Sequence, residues 1–196
     1  MNSAKQIVVI AGPSGSGKNT LIRELMREHP GTTMLVTATT RTPRSGEADG
    51  KDYYFFSQER FDEELLAGNI AGERFVPIFG GIHYGIYLPD LRKRLAAGKV
   101  VFAPVDITGA KYLKENYAAT TIFLMPESVE AYRRRIRVRN PDMTQVELDL
   151  RMKITQEEMR VHAPQYDHRV VSADGALTEV AAQVVDILRK EGYNLG

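Results

Sequence analysis

Short, continuously apolar runs alternate along this chain with segments in which apolar residues return every three or four positions. Ile7-Val8-Val9-Ile10 is the first such run, and Leu21, Ile22, Leu25 and Met26 follow at helical spacing. The runs Met34–Thr37, Val100–Val105, Thr121–Met125 and Arg169–Val171 predict further strands. Helices are expected between them at Leu88–Ala97, Gly109–Asn116, Glu127–Val138, Gln145–His162 and Leu177–Lys190. Pro89 suits a first helical turn and Gly98 a helix end. Thr144 three residues before Glu147 is a capping-box pattern. Strands that are apolar throughout are covered on both faces, so this alternation implies a parallel sheet flanked by helices, an α/β fold. Two stretches break the rhythm. Residues 38–87 hold short aromatic strands (Tyr53–Phe56, Phe75–Phe79), glycine-rich turns and one helix near Gln58–Leu66, which reads as a small inserted subdomain. At Arg133–Met143 a strongly basic helix runs into a turn.

A length of 196 residues suits one compact domain with such an insertion. The 26 basic and 25 acidic residues nearly cancel, which argues against a dedicated nucleic-acid binder. The absence of cysteine removes disulfides, thiolate zinc sites and cysteine nucleophiles from consideration, and it fits a reducing compartment. No apolar run approaches the roughly 18 residues of a membrane span, and the first run is too short for a signal peptide, so a cytoplasmic protein with no membrane partner is expected. His29, His83, His162 and His168 show no metal-ligand spacing.

Chemistry enters at Gly12-Pro13-Ser14-Gly15-Ser16-Gly17-Lys18, which follows the first strand and opens the first helix. Glycines there let successive backbone N–H groups aim at phosphate oxygens, and the helix N-terminus adds positive potential. The expected phosphate contacts are Gly12, Ser14, Gly15, Ser16, Gly17, Lys18, Asn19 and Thr20, with Lys18 as a point charge on the outer phosphates. Asn19 stands where such loops carry Ser or Thr; its amide oxygen remains able to ligate Mg²⁺. A second anion site is expected in the insert, where Arg41 and Arg44 flank Pro43 and Tyr53 follows. Two guanidinium forks on a stiffened loop suit a phosphate dianion.

Taken together, GPSGSGKNT at 12–20, TTRTPRSGEADGKDYYF at 39–55, HYG at 83–85, VDITGA at 105–110, RRIRVRN at 134–140 and APQYDHRVV at 163–171 resemble the guanylate kinase family in identity and order. The resemblance implies a P-loop kinase core (1–37, 88–132 and 163–196), a GMP-binding subdomain (38–87) with a small mixed sheet, and a helical lid (133–162). It implies Mg²⁺-dependent transfer of the ATP γ-phosphoryl group to GMP or dGMP, with small-molecule nucleotides as the only partners expected. By the same resemblance Arg41, Arg44, Tyr53 and Tyr84 hold the GMP phosphate, Thr37 faces guanine, and Asp106 lies near guanine and metal. Lys18, Arg135, Arg139 and Arg151 are the expected catalytic cations. Asp106 also has the position of a cap for the helix that follows it. The chain departs from the family at Asn19, at Pro104 where an acid is usual, and at Ser172-Ala173 where an Asn-Asp pair is usual. Family spacing from Tyr84 puts Phe75 where a guanine-reading Glu is expected. Glu73, two residues earlier, would share its face, with a two-residue insertion at Gly80-Gly81. A ribose bisphosphate kinase of the same superfamily and a non-catalytic guanylate-kinase-like interaction module are the alternatives.

Overall fold

A computed structural model of the chain describes residues 5–13, 15–77 and 81–196, without the side chain of Arg139. Its first half holds β1 (Ile7–Ala11), α1 (Lys18–Glu28), β2 (Thr32–Met34), β3 (Ala38–Thr39), β4 (Tyr54–Phe55), α2 (Gln58–Leu66), β5 (Ile70–Val76), β6 (Ile82–Tyr87) and α3 (Leu88–Ala96). The second half holds β7 (Val100–Ala103), α4 (Ile107–Tyr117), β8 (Thr120–Pro126), α5 (Val129–Arg139), α6 (Gln145–Glu157), a π-helical turn at Glu158–His162, β9 (His168–Ser172) and α7 (Leu177–Lys190). One sheet runs β2-β7-β1-β8-β9, parallel throughout. The other runs β4-β3-β6-β5 and mixes parallel with antiparallel pairs.

The parallel sheet is sandwiched because β1 is apolar at every position. Val8 and Ile10 pack with Leu21, Ile22 and Leu25 of α1 and with Val180, Val184 and Leu188 of α7. Ile7, Val9 and Ala11 turn the other way, onto Leu91, Ala110 and Leu113 of α3 and α4. Each fully buried Leu, Ile or Val contributes about 1.5–3 kcal/mol, which overrides the weak helix propensity of a short α1. The second sheet has its own cluster of Ala38, Phe56, Phe61 and Ile70 beneath α2, and Tyr132, Ile136, Leu148 and Met152 join α5 to α6. Among the described residues no helix is long and apolar enough to cross a membrane.

Several element ends differ from the expected ones for identifiable reasons. The strand expected at Met34–Thr37 is β2 at Thr32–Met34, and the N–H of Val36 donates to the Asp90 carboxylate at 3.0 Å instead of to a neighbouring strand. α4 begins at Ile107 because Asp106 caps it, and α5 begins at Val129 because the Ser128 hydroxyl accepts the N–H of Ala131. The capping box of Thr144 and Glu147 is present at α6. The helix expected through His162 loses α-helical hydrogen bonding after Glu157 and continues as the π turn. The expected strand Phe75–Phe79 has its first two residues at the end of β5, while 78–80 lie outside the described residues.

Candidate active site

The phosphate loop connects β1 to α1 through three glycines with positive φ, at 143° for Gly12, 95° for Gly15 and 92° for Gly17. L-residues with side chains rarely occupy this region. Space demands glycine as well, since a Cβ on Gly12 would lie 2.5 Å from the Leu124 carbonyl oxygen. The ammonium of Lys18 donates to the carbonyls of Gly12 at 2.6 Å and Pro13 at 3.0 Å, which holds it across the loop. Ser16 is fully buried, and its hydroxyl finds no hydrogen-bond partner among the described residues. An unmatched buried hydroxyl costs about 1–3 kcal/mol, a cost that an incoming phosphate oxygen would offset. Asn19 and Thr20 are exposed in the first turn of α1. Ser14 lies outside the described residues.

The insert gathers its cations by sheet register. Thr39 pairs with Tyr84 on one side and Phe55 on the other, so Tyr84, Phe55 and Tyr53 share one face of the small sheet. The Arg41 guanidinium lies over that face, 5.4 Å from the Tyr53 ring centre. Tyr84 meets Tyr53 edge-on at 6.2 Å. Glu47, which sequence reasoning did not single out, grips Arg41 with both oxygens, at 2.9 and 3.0 Å. It also accepts the backbone N–H of Arg44 at 2.8 Å, while the Arg44 side chain is exposed. Arg41 holds the Glu47 carboxyl below its ordinary range, and burial pushes the Tyr53 hydroxyl up. Thr37 is buried at the entry to β3, and its carbonyl accepts the N–H of Tyr54 at 2.8 Å.

Glu73 is not among these groups. Ala71 pairs with Ile86 and Arg74 with Tyr84, so Gly72 and Glu73 together face the single residue Gly85. This is a β-bulge, made possible by Gly72 at φ 56°. Beyond it Glu73 and Phe75 do share a face, as expected of residues two apart, but it is the face of α2. The Glu73 carboxylate sits 2.6 Å from Nδ1 of His83, and the Phe75 ring packs on His83 at 4.8 Å. Glu73, expected to read guanine, thus rests against His83 in this structure. Arg74 takes the Tyr84 face instead, and its Nη1 donates to Oδ2 of Asp106 at 3.2 Å. The other Asp106 oxygen caps α4, accepting the N–H groups of Thr108 and Gly109 at 3.0 and 3.1 Å. Gly12, Arg74, Asp106, Glu158, His162 and Tyr166 line one small cavity that joins the phosphate loop to the insert. Burial pushes the Glu158 carboxyl above its usual range, against the pull of Arg74 and Lys18.

The basic helix α5 brings Arg135 and Arg139 onto one helical face, four residues apart. The Arg139 side chain lies outside the described residues. Arg135 donates to Asp174 and, at 2.8 Å, to the carbonyl of Ser172; Arg134 reaches the same Asp174 at 3.2 Å. Asp174 stands one residue beyond the Ser172-Ala173 pair, a position sequence reasoning passed over. Arg151 is partly buried on α6.

Residues 4–191 match the family model described as guanylate kinase. A guanylate kinase of Gloeobacter violaceus is 36% identical over 168 residues, 85% of this chain and 80% of that protein. One of Mannheimia succiniciproducens is 35% identical over 196 residues, 98% of this chain and 91% of that protein. The crystal structure of guanylate kinase from Anaplasma phagocytophilum superposes with a TM-score of 0.72 at 28% identity, covering 99% of this chain and 90% of that one. Agreement at about a third of positions, nearly end to end and in a chain with this phosphate loop, leads to one conclusion: it belongs to the guanylate kinase family of P-loop nucleoside monophosphate kinases.

Proposed function

We propose that this guanylate kinase transfers the γ-phosphoryl group of ATP to GMP, and to dGMP, with Mg²⁺ carried in on the ATP. The observation that supports the reading most is the Arg41 fork, oriented by Glu47 over Tyr53, on the sheet face whose Arg74 reaches a cavity shared with Gly12 of the phosphate loop. The acceptor phosphate would thus be held toward the phosphate loop, as transfer between two phosphates requires.

Phosphoryl transfer needs in-line positioning and neutralised charge more than acid–base chemistry. Arg41, Arg44, Tyr53 and Tyr84 would hold the GMP phosphate, whose oxygens are already nucleophilic near neutral pH. Gly12, Ser14, Gly15, Ser16, Gly17 and Thr20 would cradle the ATP phosphates. Lys18, held now by two loop carbonyls, would exchange them for phosphate oxygens. Arg135, Arg139 and Arg151 would add positive charge as residues 133–162 close over the site, Arg135 leaving Asp174 and the Ser172 carbonyl. Closure would exclude water that otherwise hydrolyses ATP. The exposed Asn19 amide and Thr20 hydroxyl are a sparse, neutral oxygen set, which fits Mg²⁺, an ion that keeps several waters and relies on substrate phosphates. Bound there, Mg²⁺ would neutralise phosphate charge. A coupled assay with GMP and ATP tests the reading. Kinases typically turn over at roughly 1–100 s⁻¹, and a rate below about 0.1 s⁻¹ would refute it.

A further inference from the structure

Among the described arginine side chains of α5, Arg133, Arg134 and Arg137 are exposed and Arg135 is drawn inward, with 18% of its side chain exposed. Its Nε donates to Oδ1 of Asp174, and its Nη2 donates to the Ser172 carbonyl at 2.8 Å. Asp174 stands in the turn between β9 and α7. Gly175 at φ 79° and a hydrogen bond from the Ala176 N–H to the Ala173 carbonyl, at 3.4 Å, close that turn with Asp174 at its tip. Its start lies beside the phosphate loop, since a Cβ on Gly17 would stand 3.7 Å from Oγ of Ser172. A Cβ on Gly15 would stand 3.1 Å from Cδ1 of Ile136, the residue next to Arg135. The guanidinium is therefore held near the phosphate loop by a carboxylate, an oxyanion that competes for the same fork as a phosphate does. Arg134 donates to the other Asp174 oxygen at 3.2 Å. Arg135 first, and Arg134 with it, hold the Asp174 carboxyl below its ordinary range, so it stays charged at neutral pH. Two cations share this carboxylate and half of its side chain is exposed, so its hold on Arg135 is weak enough to be exchanged.

We propose that Asp174 is a latch on Arg135: it keeps this arginine from the phosphate loop until donor phosphates displace it. This rests on the guanylate kinase reading and adds to it a positioning residue that touches neither nucleotide. The exchange swaps one oxyanion for another and breaks no covalent bond. A triphosphate carries more charge than one carboxylate and offers several oxygens to the fork, so displacement is favourable. It is less favourable than binding to an Arg135 without a carboxylate partner would be, because the ligand gains only the difference between the two states. The latch thus opposes donor binding through Arg135 alone. It leaves the acceptor side untouched, where Arg41 has its own partner in Glu47. Its worth lies between that of an exposed ion pair and that of a charge-assisted hydrogen bond, about two- to tenfold in donor affinity.

Calorimetric binding of a non-hydrolysable ATP analogue with Mg²⁺ to the full chain, paired with kcat/KM for ATP at saturating GMP, tests this. Asp174→Asn should bind the analogue about two- to tenfold more tightly and raise kcat/KM for ATP by a similar factor, with Kd for GMP unchanged within about 1.5-fold. Asp174→Ser should do the same, and Asp174→Glu, which keeps the carboxylate, should stay within about twofold of the unsubstituted enzyme. A double-mutant cycle with Arg135→Met isolates the route. In that background Asp174→Asn should change analogue affinity by less than about 1.5-fold, because nothing is left to release. An equal gain in both backgrounds would mean that Asp174 merely repels the triphosphate, and would overturn the latch. So would unchanged or weaker analogue binding in both Asp174→Asn and Asp174→Ser. A merely structural Asp174 would shift GMP and analogue binding together, which also overturns it. Tighter analogue binding without turnover of GMP would leave the latch standing and defeat the kinase reading, whereas turnover with no change in analogue binding would defeat the latch alone.

Discussion

Replacing Asp90 with Asn should destabilise the fold and impair the acceptor side selectively. Asp90 is 4% exposed and lies in the first turn of α3. One oxygen accepts the N–H of Val36 at 3.0 Å and Nε of Arg94 at 2.5 Å; the other accepts the Tyr54 hydroxyl and Nη2 of Arg94, both at 3.1 Å. The carboxylate thus ties the β2 end of the parallel sheet to β4 of the small sheet. Asn turns one of these oxygens into a donor facing two donors. Losing a charge-assisted bond costs about 1.5–3 kcal/mol, and breaking a fully buried ion pair about 3–5 kcal/mol. Arg94 is 22% exposed and keeps Thr33 at 2.6 Å, so the loss is set at about 2–4 kcal/mol. For a chain of this length that lowers Tm by about 5–15 °C. Tyr54 opens β4, pairs with Ala38 and directly follows Tyr53, so KM for GMP should rise several-fold while KM for ATP stays within twofold. Thermal melts by circular dichroism and initial rates with each nucleotide varied measure both. A double-mutant cycle with Arg94→Met should show coupling of about 1 kcal/mol or more. A Tm within about 1 °C of the unsubstituted enzyme would refute the network argument, and equal rises in both KM values would refute the selective link to the insert.

Gly12→Ala should raise KM for ATP more than about tenfold in steady-state rates, since the new Cβ would meet the Leu124 carbonyl at 2.5 Å from a backbone at φ 143°. Tyr193→Phe removes a hydroxyl that donates to the Ile7 carbonyl at 2.6 Å and accepts the Thr120 N–H at 3.1 Å; a loss of about 1–3 kcal/mol should appear in denaturant unfolding, with kcat at 25 °C unchanged. Arg41 depresses the Glu47 carboxyl, so the stabilisation of this pair is complete above the unfolded value of about 4.3 and is lost as pH falls through the lower folded value. Melting temperature should therefore decline below about pH 4 through this pair, and the decline should be shallower in Glu47→Gln, as read by melts across pH 3–7.

What the chain's linear pattern determines is whatever depends on neighbours in sequence. The apolar run of β1 and the helical spacing of α1 need only their own residues to declare themselves, and the glycines between them carry their φ requirement locally. The capping box at Thr144 is legible for the same reason. Arg41, Arg44 and Tyr53 are expected as an anion site from their residue types, and Tyr84 from the family resemblance, but only the Thr39 register puts Tyr53 and Tyr84 on one face. Tertiary structure alone decided the rest. Asp90 reads in sequence as an ordinary acid in a first helical turn; its meaning comes from Val36 and Tyr54, 54 and 36 residues away. Asp174 gains its partners Arg134 and Arg135 from across the chain in the same way. The face of Glu73 turned on whether β5 pairs evenly with β6 or bulges at Gly72, and that pairing is a property of two strands together. Because side chains alternate along a strand, one extra residue exchanges the faces of all that follow, and here it set Arg74 opposite Tyr84 and Glu73 against His83.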